Sequence, residues 1–251
     1  MPALDADLRG AVGRGEISAW FQAQHDVLTG QIVAVEALCR WHHPELGPID
    51  PSVFIALAEK SGDIQQIGQF MMEQSWAAAA ELSHSDHRIE VSVNVSPVQL
   101  ITSKFTDRLA HELDRLSLPP LSLTIEITES LPIADVPAVV QRLDELRRLG
   151  LGISLDDFGV GHTSLKQVRR LHATELKIDQ TLVRDDSDRT TALLADVVRT
   201  VHEAGLRVVA EGVETPSQLD RVRALGCDRV QGYLLGVPMP KHEIVRMLSC
   251  V

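Results

Sequence analysis

LTIEITESLPIADVPAVVQRLDELRRLGLGISLDD, residues 123–157, carries one complete structural repeat of this chain. A short apolar run (123–127) ends in the polar turn Thr128-Glu129-Ser130 ahead of Pro132. A helical pattern follows over 136–149, then a second apolar run over 151–155. Strand, helix and strand in this order make a parallel pair with a crossover helix. The same unit recurs in both directions. Strand-like runs lie at 17–21, 32–35, 89–93, 175–178, 207–210 and 229–230, with helical patterns at 54–60, 70–82, 105–116, 191–203 and 218–225. One connection differs: the first two runs are joined through Asp26-Val27-Leu28-Thr29-Gly30, too short for a crossover helix, so that pair is expected to be antiparallel. About eight strands in 251 residues, with no Pro/Ser/Gly-rich linker, predict a closed α/β barrel, TIM-like (β/α)8 with an antiparallel first strand. A single domain is expected over 1–251, its core at about 15–248.

Composition narrows the function. Against 24 Lys and Arg stand 35 Asp and Glu, a formal charge of −11, which argues against a nucleic-acid polymer as partner. Aromatic residues are only 4% of the chain, too few for a base-stacking platform. The N-terminal MPALDADLRG lacks the apolar core of a signal peptide, and no run is long enough to span a membrane, so a cytoplasmic protein without membrane insertion is expected. Three widely spaced cysteines, Cys39, Cys227 and Cys250, disfavour a disulfide framework or a structural zinc site.

In a barrel of this class the active site forms at the C-terminal ends of the strands. The residues there are Glu36, Asn94, Glu126, Asp156 with Asp157, Lys177, Glu211 and Gln231. One acid at a strand end is ordinarily a helix cap. Five acids, two amides and a lysine at corresponding points of successive units are poorly explained as caps, which select Ser and Asn as readily. Converging carboxylates repel one another unless cations sit among them, and hard divalent ions prefer oxygen ligands of this mixture. The pattern therefore predicts a metal-dependent site, with two ions sharing a carboxylate, suited to phosphodiester hydrolysis. Lys177, one of five lysines, could orient a nucleophile or neutralise developing charge. It could equally be an ordinary ion-pair partner of Glu175 or Asp179.

Seven ordered motifs carry a family resemblance: VEALCRW from Val35, VSVNVSP from Val91, IEITES from Ile125, LDDFGVGHTSL from Leu155, ELKID from Glu175, VVAEGVET from Val208 and QGYLLGVPMP from Gln231. Together they resemble the EAL-type cyclic di-GMP phosphodiesterases of bacteria over nearly the whole chain. The resemblance implies a TIM-like barrel that hydrolyses cyclic di-GMP to linear pGpG with Mg2+ or Mn2+, with Ca2+ expected to be inhibitory. It implies that Glu36, Asn94, Glu126 and Asp156 hold one ion, and Asp156, Asp157 and Glu211 the second. Lys177 would contact the attacking water and Arg40 a substrate phosphate. Gln22 would contact a guanine, with Asp179, Glu214 and Gln231 on the substrate side. Glu129 would anchor the Asp-Asp-Phe-Gly loop that begins at Asp156. A homodimer and an unidentified regulatory protein partner are also implied. The sequence departs from the family pattern at Ala23, where proline is usual, and at Leu182, where phenylalanine is common.

Two alternatives belong to other classes. Gly159-Val160-Gly161-His162-Thr163-Ser164 mimics a dinucleotide-binding turn, but its third glycine is Ser164, and Asp156-Asp157 would sit against a pyrophosphate. The other alternative is a weak or inactive module that binds cyclic di-GMP without cutting it. Formation of pGpG separates that reading from hydrolysis.

Overall fold

The computed structural model describes residues 4–82, 89–102, 105–119, 121–128, 137–159 and 171–249. Among them run ten strands: β1 (Ile17–Asp26), β2 (Ile32–His43), β3 (Gly47–Ile49), β4 (Glu90–Asn94), β5 (Leu123–Thr128), β6 (Gly152–Phe158), β7 (Glu175–Ile178), β8 (Arg207–Ala210), β9 (Arg229–Val230) and β10 (Met239–Pro240). Eight of them close a barrel in the order β1-β9-β8-β7-β6-β5-β4-β2, sealed by pairing of β1 with β2; β3 and β10 extend its edges. Every ring contact from β2 round to β9 is parallel. Only β1 is antiparallel, to both of its ring neighbours. The short connection behind it is a side-chain-built turn. The Asp26 carboxylate accepts from the backbone N–H groups of Leu28 and Thr29 at 3.0 and 2.7 Å, and Gly30 takes φ +71°.

β1 and β2 are longer than the apolar runs suggested. β2 pairs with β4 only over Ala34–Ala37, then continues as an arm between β1 and β3. Glu36 therefore lies inside a long strand, at the level where the parallel barrel ends.

The two faces of the strands are chemically distinct. Val91, Val93, Leu123, Ile125, Ile127, Ile153, Leu176, Ile178 and Val208 are fully buried in the apolar core that the helices cover. The intervening residues fill the lumen with polar groups: Ser92, Thr124, Glu126, Ser154, Glu175 and Lys177, all buried. At the N-terminal end of the lumen, Glu90 accepts from Arg207 and Arg229 at 2.9–3.0 Å, while Glu175 accepts from Ser154 at 3.0 Å.

Helices start where side chains can satisfy the first backbone N–H groups. Asp50 caps Pro51–Ser61, Ser187 caps Asp188–Glu203, and Thr215 with Gln218 forms a capping box on Pro216–Ala224. These caps carry the first and second of those helices three residues upstream of their apolar patterns. The helices Pro97–Leu100 and Gln180–Arg184 are too short to carry an amphipathic pattern readable from sequence, and the amphipathic helix Lys241–Ser249 was not among those expected. No helix among the described residues is long and apolar enough to cross a membrane. Cys39 and Cys227 are free thiols, and Cys250 lies outside the described residues.

Candidate metal and phosphodiester site

Lys177 stands at the centre of the C-terminal end of the barrel, completely buried. Its Nζ lies 2.6 Å from Glu211, 2.8 Å from Glu126, 3.1 Å from Glu36 and 3.5 Å from Asp156. These partners come from β2, β5, β6 and the loop after β8, so all four side chains point into the lumen. Glu175 and Asp179, the acids nearest to Lys177 in sequence, are not among them. Glu175 belongs to the opposite end of the barrel. Asp179 caps the helix Gln180–Arg184 by accepting from Thr181 N–H at 2.8 Å.

Asn94, at the end of β4, donates from Nδ2 to Glu36 at 2.9 Å and to Glu126 at 3.4 Å. Gln231 donates from Nε2 to Glu36 at 2.8 Å and to Gln22 at 2.9 Å, while Gln22 donates to the Gly236 carbonyl at 2.8 Å. Both ends of the Gln22 amide are thus engaged within the protein.

In a regular strand, consecutive residues face opposite sides, so Asp156 and Asp157 should not share a site. The backbone resolves this. Asp157 adopts φ +60°, and the β6–β7 register shifts between Leu155 and Phe158. The Asp157 N–H then bonds the Asp156 carboxylate at 2.9 Å. A left-handed non-glycine residue is costly, and such strain concentrates at functional sites.

Two carboxylate clusters result: Glu36, Glu126 and Asp156, and Asp156, Asp157 and Glu211. Within each, oxygens lie inside 4.8 Å of one another, and Asp156 is common to both. Their electrostatics call for cations. Burial, with the nearby Glu36 charge, pushes Glu126 well above the usual carboxylate range. Burial with the Asp156 charge does the same to Glu211, and burial also raises Asp156. Asp157 is pushed up to about 6 by burial and the adjacent Asp156. Glu36 alone is held low, because Lys177 and Gln231 outweigh its burial. Lys177 is driven well above its usual value, since four carboxylates overcome the cost of burying its charge. Glu126 Oε1 is buried without a hydrogen-bond partner. An orphaned carboxylate oxygen beside two further acids and an amide fits a hard divalent ion.

Above this floor opens a cavity of about 590 Å³. Ile55, Ile64, Ile67 and Met71 form an apolar wall, while Arg40, Asp179, Glu214 and Gln231 supply polar groups. Arg40 donates to its neighbour's carbonyl, Cys39 O, at 2.9 Å. Glu214 is paired with Arg184 at 2.7 Å. Arg184 and Tyr233 also line the cavity and escaped the sequence reading. Tyr233 carried a usable signal: the chain's one tyrosine sits two residues beyond Gln231, and it is 64% exposed. Leu182, at its departure from the family pattern, packs against Gly159, where any Cβ would overlap the leucine side chain. Glu129, the expected loop anchor, lies outside the described residues, as do Gly161, His162, Thr163 and Ser164.

Comparison with known proteins agrees with this geometry. The chain is 38% identical over 249 residues to the bifunctional diguanylate cyclase/cyclic di-GMP phosphodiesterase MucR of Pseudomonas aeruginosa, covering 97% of this chain and 36% of MucR. It is 34% identical over 251 residues to the oxygen sensor protein DosP of Escherichia coli, covering 99% and 31%. To the cyclic di-GMP phosphodiesterase RocR of P. aeruginosa it is 31% identical over 246 residues, covering 97% and 63%. The chain thus spans about a third of the length of MucR and DosP. Among solved structures, the PaMucR phosphodiesterase in complex with c-di-GMP superposes with a TM-score of 0.88 at 37% identity, covering 95% of this chain and 98% of that one. An EAL domain protein of Listeria monocytogenes gives 0.86 at 25% identity over the full length of both. The EAL domain profile matches residues 5–238, and with the two carboxylate clusters sharing Asp156 around Lys177, the chain belongs to the EAL domain family.

Proposed function

We propose that this chain hydrolyses cyclic di-GMP to linear pGpG using two divalent ions, Mg2+ or Mn2+. The observation that carries this reading is the pair of carboxylate clusters sharing Asp156 around one buried lysine, beneath a cavity of about 590 Å³. Glu36, Asn94, Glu126 and Asp156 would hold one ion, and Asp156, Asp157 and Glu211 the other. Bound there, such ions supply an ionised water at neutral pH and neutralise charge building on the phosphodiester.

The protein's own groups divide the remaining work. Lys177, kept protonated by its carboxylate partners, donates to the attacking oxygen and holds it in line. Arg40, on the cavity wall, takes a non-bridging phosphate oxygen. The apolar wall and the exposed ring of Tyr233 receive guanine faces, with Asp179 and Glu214 available for base edges. Gln231 holds Glu36 and Gln22 in register from below. The names of MucR and RocR and the c-di-GMP complex of PaMucR support the choice of substrate. A homodimer under a regulatory protein partner remains part of the same reading, and sedimentation of the purified chain checks the dimer.

The test is incubation with cyclic di-GMP and Mg2+ or Mn2+, followed by chromatography. The expected product is pGpG. It should disappear in EDTA and with Glu36→Ala, whose circular dichroism should match the wild type. Ca2+ should bind with little turnover, because its looser coordination positions water poorly. Tight binding of cyclic di-GMP with no product would make the chain a receptor module instead.

A further inference from the structure

A second cavity, of about 190 Å³, lies behind the wall of the first. Gly68 and Gln99 line both. On the helix Ile64–Leu82, Gly68, Met72 and Trp76 follow one another at four-residue spacing and share a face, which meets Phe105 and Leu109 of the helix Phe105–Leu116 across the cavity. Met72, Trp76 and Leu109 are buried and form the floor, while Gln65, Gln69, Thr102 and Arg108 form an exposed polar rim. A concave apolar floor with a few polar groups at its mouth is the usual build of a small-molecule site.

Trp76 lines the cavity with ring surface and is 5% exposed, while its indole N–H is sealed from solvent and cavity alike. Arg108 has no hydrogen bond or ion pair among the described residues, whereas Gln65 and Gln69 donate to Val98 O and Glu73. An unpaired cation beside aromatic and aliphatic surface complements a compact organic anion.

The shared wall gives such a ligand a route to the catalytic cavity. The Gln99 amide lies so close over Gly68 that a Cβ there would overlap it. A glycine inside a helix is unfavourable, so its presence reflects this close approach. The same amide accepts from Ser96 N–H at 3.2 Å, two residues after Asn94.

We propose that this second cavity binds a small organic carboxylate with a flat apolar body, and that Gln99 transmits its occupancy to the turn following Asn94. The probe is phenylacetate, titrated calorimetrically into the full chain. Saturable one-to-one binding is expected. Arg108→Gln should weaken it by about tenfold, as for loss of a hydrogen bond to a charged group, and phenylacetamide should bind correspondingly worse. Hydrogen exchange at the amides of Val95 and Ser96 should slow in the presence of the probe. No saturable binding at millimolar phenylacetate, or undiminished binding by Arg108→Gln, overturns the site. Unchanged exchange at Val95 and Ser96 overturns the link to Asn94. None of these readouts requires turnover or metal, so they stand or fall apart from the hydrolytic reading.

Discussion

Lys177 donates to Glu126 at 2.8 Å from a strand two places further round the barrel, and neither side chain exposes any surface. Strands β5 and β7 are separated by β6, so this contact exists only because the sheet is closed and both side chains enter the lumen. A buried ion pair of this kind is weak evidence for stability, but breaking one side of it is costly. Here one ammonium serves four carboxylates, so the consequences of removing it are unequal.

Lys177→Met should leave those carboxylates without their cation. In EDTA at pH 8 the stability measured by urea denaturation should fall by about 3–5 kcal/mol. The loss should shrink at pH 5, where Glu126 and Glu211, already raised by burial, take up protons. In the metal-loaded protein, kcat should fall far more than cyclic di-GMP affinity, since the ammonium acts on the nucleophile. An unchanged urea midpoint in EDTA would remove Lys177 from the centre of this network.

Stability without metal should decrease as pH rises from about 5 to 8. Asp157 is raised to about 6, and Glu126, Glu211 and Asp156 are also raised. In the window above the unfolded carboxylate value of about 4, the folded chain therefore binds more protons than the unfolded one. Stability falls with pH wherever the folded state is the better proton binder. Glu36 and Glu90, held low, act in the opposite direction at more acidic pH. Mn2+ replaces the bound protons, so the rise in Tm on adding it should be larger at pH 8 than at pH 5. Equal rises at both pH values would contradict this assignment.

Gly232→Ala should be destabilising by about 1–3 kcal/mol, as overpacking in a tight interior usually is. A Cβ at this position would overlap the backbone carbonyl oxygen and nitrogen of Val213. Neither is the end of a flexible side chain. The same backbone joins the two segments, because Val213 N–H bonds Gln231 O at 3.1 Å. Relief of the clash must move the loop holding Glu211 and Glu214 or the segment holding Gln231, so Mn2+ affinity should fall as well. Thermal melts and metal titration check both effects.

Glu90→Gln should separate stability from chemistry. The carboxylate pairs with Arg207 and Arg229, and these arginines hold it below the usual range against its burial. Its loss leaves two largely buried guanidinium groups short of charge, at a cost of about 3 kcal/mol. The pair lies at the far end of the lumen from Lys177, so turnover per folded molecule should match the wild type. A large loss of kcat in fully folded Glu90→Gln protein would show that the two ends of the barrel communicate.

The alternation of strand and helix patterns, the short Asp26–Gly30 connection and the placing of acids after apolar runs are local properties, and all were legible in the sequence. They sufficed for a closed barrel with one reversed strand and for the carboxylates, Asn94 and Lys177 at one end. Strand lengths in β1 and β2 were not, because their outer halves are held by pairing with one another, β3 and β10 rather than by an apolar run. Lys177 shows the same limit. Its neighbours in sequence, Glu175 and Asp179, were natural partners on paper, yet β7 carries Glu175 to the opposite end and Asp179 caps a helix.

By itself the sequence determined which residues are available and the order in which the strands present them, since periodicity and capping act over a few residues. Only the tertiary structure decided which carboxylates meet. The left-handed Asp157 brings two adjacent acids to one side, contrary to strand alternation, and barrel closure brings Glu36, Glu126, Asp156 and Glu211 around a single ammonium. The raised acids and the lowered Glu36 follow from that convergence. They depend on burial and on distances of a few ångströms between residues as far apart in the chain as Glu36 and Glu211, and no local pattern encodes those distances.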